Sequence, residues 1–236
     1  LLNIPLADKM SINFNIQNIE ESRHKQKMEE DFSTNRIEKL NVFDSKTSFR
    51  KNINSWQIDY GFSSRYEILS SHAYNEDNYG NKTSTPSRYP DNGTEVLNFS
   101  SFILSEYKVN SKLRWFNAAR GDYEKTDARF SEFSSIFPMG NNLSLLTKNL
   151  NIAASSNLFW SVYKNKFISF SLYNSFRNPN IDDIGKVFSK VDGLVVIPNQ
   201  ELRSEKIISS ELMFQHLGDK NKIDIVFFNS LLTDAI

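Results

Sequence analysis

The sequence predicts an all-β protein, an antiparallel transmembrane β-barrel of which about nine strands are present. Three observations support this prediction. Apolar and polar residues alternate with period two along most of the chain, which is typical of strands with one apolar face. Short and long connections between these segments follow one another in strict alternation. The hydrophilic face consists largely of Ser, Asn, Gln, Tyr and Asp, whereas the solvent face of a soluble sandwich is normally rich in Lys and Glu.

Composition excludes several classes of function. The 28 basic and 28 acidic residues cancel, so the chain has no excess of positive charge with which to bind nucleic acid. With no Cys, zinc fingers, thiol catalysis and disulfides are excluded. The 19 Phe and 9 Tyr make the chain too aromatic to be disordered. Apolar runs such as Leu194 to Ile197 fall far short of the ~20 residues that a membrane-spanning helix needs.

Each predicted strand is identified by its alternation. In the first strand, Met10, Ile12 and Phe14 alternate with Ser11 and Asn13. The second and fourth strands show the pattern least clearly. The nine predicted strands are 10–24, 36–50, 54–75, 94–108, 111–126, 148–162, 165–176, 204–217 and 222–233.

The sixth and seventh strands give the clearest prediction of which face meets lipid. Large apolar side chains occupy every second position, and small polar side chains occupy the positions between them. The residues expected to contact lipid are Ile168, Phe170, Leu172, Leu150 and Ile152. The residues expected to face the lumen are Ser169, Ser171, Asn151 and Ser155.

The connections differ systematically in length. The short ones lie at about 51–53, 109–110, 164 and 218–221, and the long ones at about 25–35, 76–93, 127–147 and 177–203. Outer-membrane barrels have short periplasmic turns and long extracellular loops, so the short connections are predicted to lie on the periplasmic side. Trp56, Trp115 and Trp160 all lie near short connections, as an aromatic girdle at that membrane surface would require.

The segment that begins at Phe176-Arg177-Asn178-Pro179 and ends near Pro198-Asn199-Gln200-Glu201-Leu202 resembles the late barrel of TonB-dependent outer-membrane receptors. In that family a Phe-Arg-Ala-Pro-like box ends a strand, and an Asn-Pro-Asn-Leu-like box follows the next outer loop. Asn178 replaces the usual Ala, Ile197 replaces the Asn before Pro198, and Ser204 replaces the Pro before Glu205-Lys206.

Two earlier segments resemble the same family. Ile19-Glu20-Glu21-Ser22-Arg23 is similar to a strand with an acidic-Ser-Arg signature, and Ser87-Arg88-Tyr89-Pro90-Asp91-Asn92-Gly93 is similar to an outer-loop motif of Bacteroidetes-like receptors. The resemblance implies that 1–236 is a fragment of the receptor barrel without the plug domain and the C-terminal strand. Consistent with that, Leu1 to Pro5 show no targeting segment, and we expect an internal piece of a longer protein.

The resemblance also implies a function. Such receptors lie in the bacterial outer membrane, contact its lipid, and import a scarce ligand with energy that the TonB complex delivers through the N-terminal region. The implied ligand is a ferric siderophore, a haem-like iron source or another bulky nutrient, with no cofactor and no metal held by the chain.

Candidate ligand-binding residues lie on the long loops, where aromatic and Arg side chains are the types that dominate binding surfaces. They are Tyr79, Arg88, Tyr89 and Arg177. The family-motif positions are Phe176, Arg177, Pro179, Pro198, Asn199 and Leu202. A purely architectural role is the alternative, because Asn178 would cap a short loop helix with Pro179 at its first position and Asp182 and Asp183 in its first turn.

Haem ligation by the loop between the two boxes is not expected. Haem receptors of this family commonly carry a His there, whereas residues 180–197 contain no His, Met, Cys or Tyr. His72 is the nearest substitute. A ferric siderophore or similar chelate is therefore the leading ligand class.

Two other classes remain open on the sequence. One is a soluble or surface-attached β-sandwich that binds carbohydrate or protein, and the other is a passive porin or adhesin barrel. An enzyme is not expected, because the three His residues are isolated and no nucleophile, phosphate-loop or zinc-protease motif is present.

Overall fold

The computed structural model describes residues 6–28, 30–130, 144–184, 199 and 201–236. Within these residues, nine long strands form one antiparallel sheet, and a tenth, short strand pairs with the end of the third long strand. The elements are β1 Lys9–Lys25, β2 Phe32–Ile53, β3 Trp56–Asp77, β4 Lys82–Ser84, β5 Thr94–Lys108, β6 Leu113–Arg129, β7 Ser144–Tyr163, β8 Lys166–Arg177, α1 Ile181–Ile184, β9 Glu205–Leu217 and β10 Lys222–Thr233. Each predicted strand has its counterpart, and the antiparallel prediction is confirmed.

The strands follow one another across the sheet in chain order, from β1 to β3 and then from β5 to β10. Because every neighbour is antiparallel, successive connections lie at opposite edges. The sheet is open, with β1 and β10 as its two ends. A β-sandwich would need a second sheet packed on the first, and the described residues form one sheet only.

The strand ends form two opposite rows, at the top and the bottom of the sheet, which we call its edges. The two edges differ in the length of their connections. The short-turn edge holds the turns β2–β3, β5–β6, β7–β8 and β9–β10, and the long-loop edge holds the other connections. Asn54 and Asn165 form the turns β2–β3 and β7–β8 with positive φ angles of 51° and 64°, a backbone region that Asn tolerates better than most residues. The first long connection is shorter than predicted, because β1 ends at Lys25 and β2 begins at Phe32.

Register divides the side chains between two faces. Phe14 lies opposite Ser45, which lies opposite Ser64, and at the other end of the sheet Phe170 lies opposite Leu212, which lies opposite Phe227. We call the face that carries these residues the apolar face and the other the polar face. The apolar face holds Met10, Ile12, Phe14, Ile16, Phe43, Phe62, Phe99, Ile103, Leu150, Ile152, Leu158, Ile168, Phe170, Leu172, Ile223, Ile225 and Phe227, and most of these side chains are exposed.

The polar face is joined by hydrogen bonds between strands. Ser63 bonds Ser100 at 2.8 Å, and Asn157 donates to Ser169 at 3.0 Å and to Ser171 at 2.6 Å. The predicted separation is therefore confirmed: Ile168, Phe170, Leu172, Leu150 and Ile152 share one face, and Ser169, Ser171, Asn151 and Ser155 share the other.

The three Trp residues lie on the apolar face near the short-turn edge, as predicted. Trp56 is the first residue of β3 and stacks on Tyr107 with ring centroids 4.4 Å apart. Tyr107 in turn lies opposite Trp115, whose indole donates to Ser156 Oγ at 2.8 Å. Trp160 lies on β7, the strand next to that of Trp115, opposite Ile168 of β8. No helix of the described chain is long and apolar enough to cross a membrane.

Candidate functional site

Two loops that are far apart in sequence meet at the long-loop edge. Arg88 and Tyr89 come from the β3–β5 connection, and Asp182 comes from α1 after β8. Arg88 Nη2 lies 3.3 Å from Asp182 Oδ1, and the Tyr89 hydroxyl donates to the same oxygen at 3.0 Å. The Arg88 guanidinium also lies 5.0 Å from the centroid of the Tyr89 ring, within cation–π distance. These contacts join the two loops over the polar face.

The conformation of the first loop is fixed by its own sequence. Ser87 is buried, and its hydroxyl donates to the Tyr89 carbonyl at 2.6 Å. Gly93 has a φ of +88°, which favours glycine, and its carbonyl accepts from Arg129 N at 3.0 Å. The Ser-Arg-Tyr-Pro-Asp-Asn-Gly segment is thus a turn whose conformation is fixed by hydrogen bonds. It holds the Arg88 and Tyr89 side chains in place.

Tyr89 titrates unusually. Burial, followed by the negative charge of Asp182 and the hydrogen bond to it, raises the pKa of the Tyr89 phenol to about 12. The phenol therefore stays protonated at physiological pH and acts as a hydrogen-bond donor to the carboxylate.

A second set of ion pairs involves Asp183, the residue that follows Asp182. Arg177, at the end of β8, bonds Asp183 through Nη2 at 2.8 and 3.1 Å, and its Nη1 lies 3.5 Å from Glu205 at the start of β9. Asp183 also accepts from Asn180 N at 2.9 Å, while Asp183 N donates to Asn180 Oδ1 at 3.1 Å. This reciprocal pair caps α1. The cap is therefore Asn180, and the expectation that Asn178 would cap the helix is wrong.

Asn178 instead ties the two ends of the loop to the sheet. Its Oδ1 accepts from Ser204 Oγ at 2.8 Å and from Asn151 Nδ2 at 2.7 Å, and Asn151 Nδ2 also donates to Ser204 at 3.0 Å. Asn199 N donates to the carbonyl of the fully buried Ile184 at 3.2 Å. Each family-like box is therefore hydrogen-bonded to residues near the opposite end of the loop, Asn178 to Ser204 and Asn199 to Ile184.

The sequence-predicted ligand-binding residues fall into two groups. Arg88 and Tyr89 come together, and Arg177 joins them through Asp183, the neighbour of Asp182. Tyr79 stays apart: it is 92% exposed, in a turn that Asp77 closes by accepting from Tyr79 N and Asn81 N at 2.9 Å.

Several of the motif positions are buried or hydrogen-bonded within the fold. Phe176 lies on the apolar face opposite Lys206, Pro179 is buried, and Leu202 is half-buried. Asn199 donates to the end of α1, as described above. Pro198 lies outside the described residues.

Sequence reasoning missed the role of Asp182. It assigned Asp182 only to the first turn of a helix, whereas the carboxylate pairs with residues more than ninety positions earlier. The sequence held one indication of this contact: Arg88 and Tyr89 lie on one predicted long loop, and Asp182 lies on another. Within the described residues, no three His, Cys, Asp or Glu side chains lie close enough together to hold a metal ion.

No protein-family model matches the sequence, and no curated protein matches it. The fold does match solved structures. The copper transporter OprC superposes with a TM-score of 0.72 at 9% identity, over 97% of this chain and 36% of that one. The ferric yersiniabactin uptake receptor FyuA from Yersinia pestis gives a TM-score of 0.62 at 12% identity, over 97% and 34%.

The hemophore receptor HasR of Serratia marcescens, in complex with HasA and heme, gives a TM-score of 0.65 at 11% identity, over 97% of this chain and 41% of that one. These solved structures are TonB-dependent receptors. At such low identity the likeness establishes the fold. The chain spans 34% to 41% of each of these solved chains.

Proposed function

We propose that this chain is part of the barrel of a TonB-dependent outer-membrane receptor, which binds a scarce ligand at its extracellular loops and imports it with TonB-supplied energy. The observation that carries the proposal is the single sheet of long consecutive strands with one continuous apolar face. Its fold is that of receptor barrels, and its long loops contact each other at one edge.

The apolar face supports a membrane location. Exposed apolar patches on soluble monomers rarely exceed a few hundred Å², whereas here Phe14 is 76% exposed, Leu150 is 78% exposed, and similar side chains continue across every long strand. Exposing these side chains to water would be unfavourable, and contact with lipid removes them from water. The strands are longer than the ~10 residues that cross a bilayer, so their ends extend beyond it.

The edges support a direction. Outer-membrane barrels have short periplasmic turns and long extracellular loops, and the aromatic row Trp56, Tyr107 and Trp115 at the short-turn edge is of the kind that lies at a membrane surface. The short-turn edge is then periplasmic, and the long-loop edge with Arg88, Tyr89 and Asp182 is extracellular.

The ligand we propose is a ferric siderophore or another bulky iron source. The named neighbours carry copper, ferric yersiniabactin or heme with its hemophore, all of them scarce metals or metal complexes. Arg88, Tyr89 and Arg177 are the proposed contacts, together with Tyr79 at an exposed loop tip. The TonB complex would act on regions of the protein outside this chain. We propose no enzymatic reaction for this chain.

The test is uptake of a radioiron-labelled siderophore by cells that express the full-length protein. Uptake should require TonB, because a passive porin would work equally in cells without TonB. Deleting 78–88 should abolish binding of the chelate while leaving membrane insertion intact. Replacing the exposed Lys220 of the opposite edge with Ala is the control and should leave both unchanged. Unaltered binding after the deletion would reject the loop as the site.

A further inference from the structure

A small pocket on the polar face contains a buried carboxylate that no described residue satisfies. The pocket has a volume of about 230 Å³ and lies where β1, β2, β3 and β5 approach the long-loop edge. Its walls are Ile19, Leu40, Leu69 and Val96, and Tyr89 and Ile181 from the two loops complete it. Glu38 enters this mainly apolar space with only 6% of its surface exposed.

The other carboxylates around the pocket have partners. Glu21 accepts from Arg23 Nε at 2.7 Å, Glu67 pairs with Arg65, and Asp182 pairs with Arg88. Arg23, Arg88 and Arg36 attract Glu38 electrostatically, but none of them donates a hydrogen bond to it. Arg23 and Arg88 instead donate to Glu21 and Asp182.

Both oxygens of Glu38 lack a hydrogen-bond partner among the described residues. Two buried hydroxyls close to it share this property. Ser71 is fully buried and lies directly opposite Glu38 in the register of β2 and β3, and Thr94, 1% exposed, lines the same pocket. Neither hydroxyl has a partner in the described part of the chain. A buried charge without a partner is costly, so the arrangement points to a group that enters from outside.

We infer that this pocket binds an organic ammonium group carried on a small apolar body. An ammonium has three N–H donors and no acceptor, so it neutralises Glu38 and hydrogen-bonds to it. The aliphatic walls suit a hydrocarbon body, and the Tyr89 ring is of the type that attracts cations. A bare metal ion does not fit, because the pocket offers one unpaired carboxylate and no group of three ligands.

As a subsite for one arm of the imported ligand, the pocket rests on the proposed function. Its occupancy by an amine is nevertheless a property of the purified protein and requires neither TonB nor transport. If the amine fails to bind while TonB-dependent uptake persists, only the pocket assignment fails.

The experiment titrates the full-length protein in detergent with 2-phenylethylammonium and follows the heat of binding. Its neutral analogue, 2-phenylethanol, has the same body without the charge. We expect saturable binding of the amine at least tenfold tighter than that of the alcohol. Glu38→Gln should lower the affinity for the amine at least tenfold, and Glu211→Gln, on the polar face of the distant β9, should not change it.

A second measurement separates a binding role from a structural one. In the absence of amine, Glu38→Gln should raise the midpoint temperature of unfolding, because it removes a buried charge that has no hydrogen-bond partner among the described residues. Equal affinity for amine and alcohol, or unchanged affinity in Glu38→Gln, would overturn the inference. A lowered unfolding midpoint without amine binding would also overturn it, since it would mean that another part of the protein is the partner of Glu38.

Discussion

Ser204 donates a hydrogen bond to the side-chain oxygen of Asn178 at 2.8 Å, and these residues occupy two of the positions at which the sequence departs from the receptor family it resembles. Asn178 stands in place of Ala and Ser204 in place of Pro. Both also contact Asn151 of β7, at 2.7 and 3.0 Å. The two departures are therefore linked, since each supplies a polar group to the same network at the ends of one loop.

Replacing Asn178 with Ala should destabilise the protein. Asn151 and Ser204 are each only 6% exposed, and they would lose the acceptor that both now use. Leaving such buried groups without it costs ~1–3 kcal/mol. Chemical denaturation of the refolded full-length protein measures this change, and Asn18→Ala, at an exposed position of β1, is the control. A loss no larger than that of the control would mean that the network contributes no stability.

The strand pattern was predictable and the loop contacts were not, for a physical reason. Alternation in β8 follows from local chain geometry, because successive side chains point to opposite faces. The pairing of Arg88 with Asp182 depends on how two loops, separated by four strands, return over the sheet. Nothing in the local sequence records that path. The sequence predicted the wrong helix cap for a related reason. Asn178 and Asn180 are equally good caps by residue type, but the side-chain oxygen of Asn178 accepts hydrogen bonds from Asn151 and Ser204.

Charge on the apolar face should be far more harmful than charge on the polar face. Phe170→Arg places a guanidinium among Leu158, Leu212 and lipid, which should cost ~2–4 kcal/mol near the bilayer midplane. Ser171→Arg lies next to it in sequence but faces the polar side, where it loses one hydrogen bond from Asn157 and should still insert. Yield and heat-resistant migration of the folded barrel measure the difference. Equal damage at both positions would contradict lipid contact by the apolar face.

The two edges of the sheet should lie on opposite sides of the membrane. Tyr79 and Lys220 are both exposed, on the long-loop and short-turn edges respectively. In intact cells, a membrane-impermeant thiol reagent should label Tyr79→Cys and leave Lys220→Cys unlabelled. Both variants should react after the cells are broken, which controls for accessibility. Labelling of Lys220→Cys from outside would reverse the proposed orientation.

Stability of the loop contact should fall at high pH. The folded protein raises the pKa of Tyr89 from 10.0 to about 12, so the folded state favours the protonated phenol. The stabilisation is fully present below pH 10 and is lost as pH rises towards 12. Alkaline titration followed by tyrosinate absorbance should show one late-titrating phenol that Tyr89→Phe removes and Tyr79→Phe leaves unchanged. Persistence of that phenol in Tyr89→Phe would assign it to another tyrosine.

Haem should not be ligated by a His of this chain. His24, His72 and His216 lie on the apolar face, because the register places His24 opposite Asn35, His72 opposite Ile37 and His216 opposite Ile223. In a receptor that faces lipid with this side, none of the three imidazoles is directed into the lumen, where an imported ligand passes. Direct iron ligation needs a neutral imidazole aimed at the metal, and residues 180–197 supply no His either.

Titrating the full-length protein with haem should therefore give no low-spin Soret shift that depends on His72. The control is the same titration of His72→Ala, which should give a spectrum indistinguishable from that of the unmodified protein. A Soret shift that His72→Ala abolishes would contradict the assignment of His72 to the lipid-facing side, and with it the register-based division of β3 into two faces. A shift that survives in His72→Ala would place the iron ligand outside this residue and leave the division intact.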